Sequence, residues 1–437
     1  MIYTQKQRSN QMYEHLKGKK LLIIGSDAGN INIINAAREM GVYTVIVDGI
    51  TDYTKAPAKT VADEAWDINY AYTDQIADKC RESGIDGVFA GYSEFRVMAA
   101  CKIANAIGTP FYANEEQIDL TRNKRTFKDE CYKYDIPVPR DYCFSYPMNE
   151  EEKDKVEYPV IVKPADYAGR KGISVCNNRA ELDAAVDYAA SKSQSSCVII
   201  EDYLDGIEFS SVYTLSKGEI SLSCVNEKYI TDDQEKKTGL CEFLISPARS
   251  YERYVSELDG KVRDFIRGIK AENGVVFFQG MVTEKKIYIF EMGYRLNGNN
   301  DYFTIERFNG INYMKMMIAY SLCGDMCDDL SKDNPLYDKY SCSYLLYAHE
   351  GTIKKFEYKA ICDHPAVTDI DIDAWEGKEI AEDGSTGQKV MRIKLFADTV
   401  DEIVRAVNFI QSNVTVEDVN GRNMLFLPFD AECLKQG

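Results

Sequence analysis

Gly274 to Asn300 reads GVVFFQGMVTEKKIYIFEMGYRLNGNN. Two apolar runs flank the short polar turn Glu284-Lys285-Lys286, and a polar, glycine-broken loop follows, a pattern that predicts a β-hairpin. With the turn centred on Lys285, Gln279 falls directly opposite Glu291. Cross-strand partners share a face, with Cβ atoms about 5 Å apart. One amide oxygen and one carboxylate then converge, a pair suited to a hard cation such as Mg2+ that keeps waters and nucleotide phosphates as its other ligands. A plain surface hairpin with two polar residues on its wet face carries the same pattern, so the stretch alone leaves both readings open.

A chain of 437 residues exceeds one core and predicts two or three domains. An apolar content of 45% with 28% charged residues is that of a soluble globular protein. The net charge of -18 repels polyphosphate surfaces, so neither nucleic acid nor an anionic membrane is expected as a partner. A nucleotide site is compatible with it, since that needs only a local cluster of Lys and Arg. No apolar run approaches the roughly 20 residues of a membrane span, and Met1 to Lys20 lacks the apolar core of a signal peptide. The thirteen Cys are scattered singly, which predicts reduced thiols in the cytoplasm. Cys323 and Cys327 come closest, as C-x3-C, with no second pair or His cluster in the sequence to complete a zinc site.

From Lys19 onward, strand and helix patterns alternate: LLIIGSDAG, INIINAAREMG, VYTVIVDG, a helix from Thr73 to Ser83, GVFAG, and a helix from Ser93 to Ile107. This alternation predicts a parallel sheet with helices on both faces. Ligands on such sheets gather at the carboxyl ends of strands, which makes Gly25, Gly29, Asp48 and the Gly91-Tyr92-Ser93-Glu94 turn candidate positions. The Gly25–Gly29 turn is half of a dinucleotide fingerprint and lacks its third glycine. Glu94 faces an acceptor there or simply complements a helix N-terminus. A long helical stretch, EEQIDLTRNKRTFKDECYKY, stops at Ile136-Pro137-Val138-Pro139. Asn149 to Glu157 reads as a solvated linker. YPVIVKPADYAGRKGISV gives strand, loop and strand, with Lys163 at the end of an apolar run and a Gly169-Arg170-Lys171-Gly172 loop that offers backbone N–H groups and cations to an anion. A helix from Arg179 to Ser191, a strand, a kink at Gly206 and a hairpin turning at Lys217-Gly218 follow. From about Gly324 a Cys- and Asp-rich turn opens a last region that ends in a strand–helix–strand unit.

These motifs, in this order, resemble the ATP-grasp superfamily over nearly the whole chain. The resemblance implies mixed α/β and α+β architecture: an N-terminal parallel-sheet α/β (pre-ATP-grasp) domain over 1–113, a two-lobed ATP-grasp core over 114–323 and a small C-terminal α+β segment over 324–437. Asn123-Lys124 before Ile136-Pro137-x-Pro139 is similar to the family's "K…gIPvP" segment, which implies that Lys124 contacts phosphate. YPVIVKPA is similar to the strand whose lysine, here Lys163, contacts the α- and β-phosphates. The loop from Gly169 to Gly172, with Lys171, resembles the lid over them. IIEDYLDGIEFS resembles the hinge that meets adenosine: Glu201, Asp202 and Leu204 at the adenine, partly through backbone, and Glu208 at the ribose hydroxyls. Glu291 and Arg295 fall on the "ExNPR" strand end, where the carboxylate holds Mg2+ and the arginine neutralises the transferred phosphoryl. Gln279 stands where carbamoyl-phosphate synthetase large subunits carry a metal-binding glutamine and biotin carboxylases a glutamate.

The sequence departs from the family pattern at Gly293, where a metal-binding Asn is usual, and at Tyr294, usually Pro. Asn297, Asn299 or Asp301 from the loop could replace the lost ligand, or Mg2+ arrives already bound to ATP. Asn297 and Asn300 are candidates for a substrate or metal role, with a turn role as the alternative. LNGNNDYF does not match the bicarbonate-site run of biotin carboxylases, and Met314-Lys315-Met316 lies in a helical setting unsuited to biotinylation. The resemblance implies a ligase that uses ATP and Mg2+ to activate a small-molecule carboxylate as an acylphosphate for attack by an amine, in a chain that could form a homodimer. Two alternatives stay open: a carbamoyl-phosphate-synthase-like enzyme activating bicarbonate, and a catalytically impaired ATP-binding protein. Lys228 to Leu240 reads as a polar stretch, either closing over substrate or a surface loop.

Overall fold

The computed structural model describes residues 12–142, 147–165, 172–193, 197–231, 239–381 and 384–435. The near-continuous apolar runs of the N-terminal third become β1 (Lys20–Ile24), β2 (Tyr43–Val47), β3 (Glu64–Trp66) and β4 (Gly87–Ala90), all parallel, in the order β3-β2-β1-β4. Strands apolar on both faces need helices on both, as parallel sheets do. Helices Gly29–Glu39, Thr73–Ser83 and Glu94–Ile107 supply them, and the latter two stop at Gly84 and Gly108 in the left-handed conformation.

A second sheet is small: β5 (Val160–Pro164), β6 (Ser174–Cys176) and β7 (Val198–Asp202) in the antiparallel order β6-β5-β7. Helix Arg179–Lys192 buries Leu182 and Val186 against Val160, Val162 and Ile200, a core separate from the rest. The central sheet is eight-stranded, with β8 (Ile207–Ser216), β9 (Glu219–Ile230), β10 (Cys241–Ser246), β11 (Gly274–Val282), β12 (Ile287–Gly293) and β13 (Tyr340–Tyr347). A second three-stranded sheet holds β14 (Gly351–Glu357), and β15 (Val367–Ile372) precedes the short β16 (Glu379–Ile380). With β17 (Lys389–Ala397) and β18 (Thr415–Asp418), the central order is β12-β11-β8-β9-β10-β13-β17-β15 and the last sheet is β16-β14-β18. Beyond residue 323, then, β13, β17 and β15 continue the central sheet, and one apolar core takes in side chains from Tyr13 to Leu330. The mixed α/β and α+β architecture expected from the sequence is the one observed. Among the described residues no helix is long and apolar enough to cross a membrane.

Two local expectations are corrected. The stretch from Glu115 to Tyr134 is two helices, Glu115–Arg122 and Lys124–Lys133, because the Asn123 side chain accepts from the backbone N–H of Arg125 and Thr126 and starts a new helix. Asn149 to Glu157 is no plain linker: Asn149 and Glu152 form a reciprocal capping box on helix Glu150–Asp154, whose Glu150 and Asp154 pair with Arg179.

On β10, burial alone pushes the Glu242 carboxyl from its ordinary 4.5 up to about 7. The folded state therefore holds a proton that the unfolded state has released between those values. The stability this contributes is full below about 4.5 and is lost as pH rises through about 7. Glu242→Gln, which is neutral at every pH, should leave stability unchanged at pH 4 and raise it by about 3 kcal/mol at pH 8. Urea unfolding at the two pH values checks this.

Candidate active site

The site is built on the β11–β12 hairpin. Gln279 pairs with Glu291 as expected, although the connection differs. Val282 pairs with Ile287, so the loop is Thr283-Glu284-Lys285-Lys286 and the pairing beside it is one residue out of the expected register, which a bulge between Gln279 and Gly280 restores. On the other side Gln279 pairs with Ser210 and Ser210 with Asn226, giving a polar row across β12, β11, β8 and β9. Neither Gln279 nor Glu291 is hydrogen-bonded to another side chain among the described residues, so both oxygens stay available.

Opposite stands a cluster of lysines. Lys163, at the end of β5 and 9% exposed, pairs with Glu201 on β7. The other Glu201 oxygen accepts from Lys128 Nζ at 2.7 Å. Lys128 also pairs with Asp141 and donates to the Pro139 carbonyl at 3.0 Å. Burial opposes charge on Glu201, yet the Lys163 and Lys128 ammonium groups outweigh it and hold the carboxyl below its ordinary range. Lys124 lies at the first position of its helix, one turn before Lys128. Burial, with the nearby Lys163 ammonium, lowers its pKa below the ordinary lysine value against the pull of Glu291, Glu201 and Glu94. Lys124 therefore sits among the residues of both walls and makes no ion pair among the described residues.

Arg295 follows β12 and is anchored on three sides. Its Nε donates to Glu94 Oε1 at 2.6 Å, Nη2 pairs with the same carboxylate, and Nη1 donates to the Leu296 carbonyl at 2.7 Å. The guanidinium lies 5.0 Å from the centroid of the Phe277 ring. Phe277 is also the cross-strand partner of Gly293, where a Cβ would fall 2.3 Å from the ring. The departure from the family pattern thus has a packing cause: the ring that supports Arg295 fills the space an Asn side chain would need.

The loop after Arg295 is organised around Asp301, which is 4% exposed. Its Oδ1 accepts from Asn226 at 2.9 Å, and its Oδ2 from Asn297 at 2.5 Å and Asn299 at 3.5 Å. Asn297 is buried in that network, and Asn300 takes a left-handed backbone conformation before helix Asp301–Asn309. These placements give Asn297 and Asn300 structural work: a buried hydrogen bond for one, a turn for the other. Asp301 is likewise committed, whereas Asn299 donates to Ser210, next to Gln279.

The remaining expected residues fall as follows. Asp202 accepts from Arg140 and Tyr142 at its side chain, which leaves only the backbone of the Asp202–Leu204 stretch for the expected adenine contact. Half-buried Leu204 lies in the link between β7 and β8. Glu208 begins the polar face of β8, beside buried Lys228. Gly172, at φ +82, packs where a Cβ would meet Pro164 at 2.7 Å. Gly169 and Lys171 lie outside the described residues, as does the middle of the Lys228–Leu240 stretch. At the half-fingerprint turn the Arg96 guanidinium presses against Gly25 and pairs with Asp27, filling space a dinucleotide would need.

Sequence reasoning missed two groups. Lys128 was legible in principle, four residues after Lys124 and hence on the same helix face. The second group depends on distant strands. Ser26 Oγ, Asn30 Nδ2, Tyr92 OH and Arg392 Nε are buried without a hydrogen-bond partner among the described residues. Ser26 and Tyr92 lie just past the carboxyl ends of β1 and β4, Asn30 in the first turn of helix Gly29–Glu39, and Arg392 on β17, where it donates to the Gly298 carbonyl at 2.9 Å. Lys394, beside it, donates to Asn299 O at 3.2 Å, and burial lowers its pKa to about 8, with the Arg392 charge adding to the shift. Orphaned buried polar atoms cost about 1–3 kcal/mol each; several together suit a polar ligand.

Residues 121–299 match the model of the ATP-grasp domain, and the chain contains such a domain. It is 28% identical over 247 residues to the phosphoribosylamine–glycine ligase of Fusobacterium nucleatum, covering 52% of this chain and 57% of that protein. It is 22% identical over 344 residues to the carbamoyl phosphate synthase large chain of Clostridium perfringens, covering 73% of this chain and 30% of the other. Both matches thus span less than two thirds of the relative's own length. Among solved structures, the L-amino acid ligase of Bacillus licheniformis superposes with a TM-score of 0.76 at 16% identity, over 92% of this chain and 99% of that one. This last likeness is one of fold.

Proposed function

We propose that the chain is an ATP-dependent, ADP-forming carboxylate–amine ligase. The carrying observation is the convergence of Lys124 with Lys163 and Glu201 on one wall and Glu291 on the other. Phosphoryl transfer asks for positioning and charge neutralisation more than covalent help from the protein. A carboxylate oxygen attacks the γ-phosphorus, ADP leaves, and an amine then displaces phosphate from the acylphosphate to give the amide. Lys124 and Lys163 hold the phosphates. The Glu201–Leu204 stretch and Glu208 meet adenosine, and Arg295, fixed by Glu94 and Phe277, faces the acylphosphate. Gln279 and Glu291 fit Mg2+, since both are oxygen donors, adjacent and not otherwise hydrogen-bonded; the ion would supply charge neutralisation. Lys171 and Gly169 belong to the same proposal as parts of a lid. Ser26, Asn30, Tyr92 and Arg392 surround the carboxylate substrate. The proposal extends to a cytoplasmic location, small-molecule substrates and a homodimer.

The test is ADP and phosphate release with MgATP across amino acids, dipeptides, other carboxylates and bicarbonate. Stimulation by a donor–acceptor pair is expected. Dependence on bicarbonate alone would move the chain to carboxyphosphate chemistry. Tight ATP binding with no turnover on any of them would favour a nucleotide-binding protein.

A further inference from the structure

At the end of the central sheet away from the lysine cluster, three metal-ligating side chains meet that are far apart in the sequence. Cys323 is the last residue of helix Tyr313–Cys323, and left-handed Gly324 reverses the chain after it. Fully buried Met326 pins the turn to the core, and Cys327, itself at φ +63, turns back toward the helix end. The two Sγ atoms stand 3.7 Å apart. His15 arrives from the 3-10 turn Glu14–Leu16, held on either side by the buried Tyr13 and Leu16. Its Nε2 lies 3.8 Å from Cys327 Sγ, and the three ligand atoms all lie within 4.8 Å of one another.

We propose that His15, Cys323 and Cys327 bind a Zn2+ ion. A tetrahedral zinc with Zn–S of about 2.3 Å and Zn–N of about 2.0–2.1 Å has ligand-to-ligand edges of roughly 3.6–3.8 Å. The two edges that meet at Cys327, 3.7 and 3.8 Å, match before any metal is added, and the third lies within 4.8 Å. They do not match a disulfide, whose sulfurs lie about 2.05 Å apart. Two thiolates and an imidazole select a borderline-soft divalent ion, whereas the oxygen pair Gln279 and Glu291 suits a hard one, so the two sites do not compete for one metal. The surroundings are acidic: an open depression of about 700 Å³ is lined by His15, Cys327, Asp325, Asp328 and Lys217. Asp325 is occupied in holding the turn, accepting from the Cys327 backbone N–H at 2.9 Å and pairing with Lys217 at 2.8 Å. The fourth position is left to water or Asp328. Lys217 caps the end of β8 opposite Glu208, about 30 Å away at roughly 3.3 Å per strand residue. The ion therefore acts as a clasp, fastening the N-terminal segment to the end of a core helix, and takes no part in phosphoryl transfer. The motif was visible in the sequence as C-x3-C; the missing ligand was His15, which only the fold brings near.

The test uses the full chain, stripped of metal by chelator under reducing conditions and titrated with Co2+ and then Zn2+. The expected result is saturation at a single equivalent of Co2+, with tetrahedral ligand-field bands and a thiolate-to-metal charge-transfer band, displacement by Zn2+ and a higher unfolding temperature with Zn2+. Cys323→Ser and Cys327→Ser should each weaken Co2+ binding by on the order of 100-fold or more, and His15→Gln should weaken it while keeping the thiolate band. Glu291→Ala should leave the spectrum intact, which separates this site from the oxygen pair on the hairpin. Absence of the charge-transfer band in protein whose thiols titrate as reduced would overturn the proposal. So would undiminished binding in the three variants, or a Cys323–Cys327 disulfide found by mass spectrometry in protein isolated without oxidant.

Discussion

Glu291→Ala should lower kcat/KM for MgATP by on the order of 10³-fold, with only partial recovery at high free Mg2+. Two features of the hairpin set the size of the effect. Gln279 contributes an oxygen but no charge, and Gly293 contributes no side chain because Phe277 fills its space. Glu291 is therefore the one carboxylate of the expected metal set. Its loss removes all the protein's charge on that ion, where a site with several acidic ligands would keep part. Removing one group aimed at developing charge typically costs about 2.7–4 kcal/mol, and a metal-orienting carboxylate belongs at the upper end. Steady-state kinetics over a Mg2+ series, with circular dichroism to verify folding, decides the matter. Unchanged activity at limiting Mg2+ would mean that the ion is held by ATP alone and that Glu291 is an ordinary hairpin residue.

The hairpin was legible because it is local. Alternation over Gly274–Val282 and Ile287–Gly293 puts Gln279 and Glu291 on one face, and only the extra bulge residue escaped notice. It escaped because a bulge has no sequence signature when both flanks are apolar. Three of the four parallel strands were legible for the same reason: LLII, TVIV and VFA are apolar on both faces, whereas the three-residue Glu64–Trp66 strand is too short to carry a pattern. What stayed hidden depends on contacts between distant segments. Arg392 and Lys394 read as charges on an exposed strand until β17 joins β13 and brings them to the loop after Arg295. Asp301 and Asn297 read as possible metal ligands in a loop until Asn226, from the far side of β8, donates to Asp301 and Asn297 joins it there. Glu201 is the sharpest case. The motif assigned it to adenine, yet its side chain is wholly engaged with Lys128 and Lys163, so any adenine contact from that residue falls to its backbone. The break at Asn123 had a signal that was passed over, since Asn before Lys-Arg-Thr can start a helix as readily as continue one.

That engagement of Glu201 leads to the largest expected effect on stability. Glu201→Gln should destabilise the β5–β7 lobe by about 3–5 kcal/mol, because it leaves buried Lys163 and Lys128 without the carboxylate between them. Lys128 keeps Asp141 and the Pro139 carbonyl; Lys163 keeps no ion pair among the described residues. The lobe has its own small core around Val160, Val162, Leu182 and Ile200, so the loss should be local: faster amide exchange in residues 160–202, with the parallel sheet of the N-terminal third protected as before. A nucleotide changes the balance. The phosphates of ATP would supply the negative charge that Gln lacks, so ATP should protect the variant's lobe more than the parent's, through ligand linkage. Lys128→Met makes the contrast, since Glu201 then retains Lys163, and the lobe should lose less. Hydrogen exchange with and without ATP separates these outcomes. Equal exchange in Glu201→Gln and the parent would mean that water or a shifted pKa already neutralises the two lysines, and the buried ion cluster would then lose its place as the device that holds Lys163 in position for phosphate.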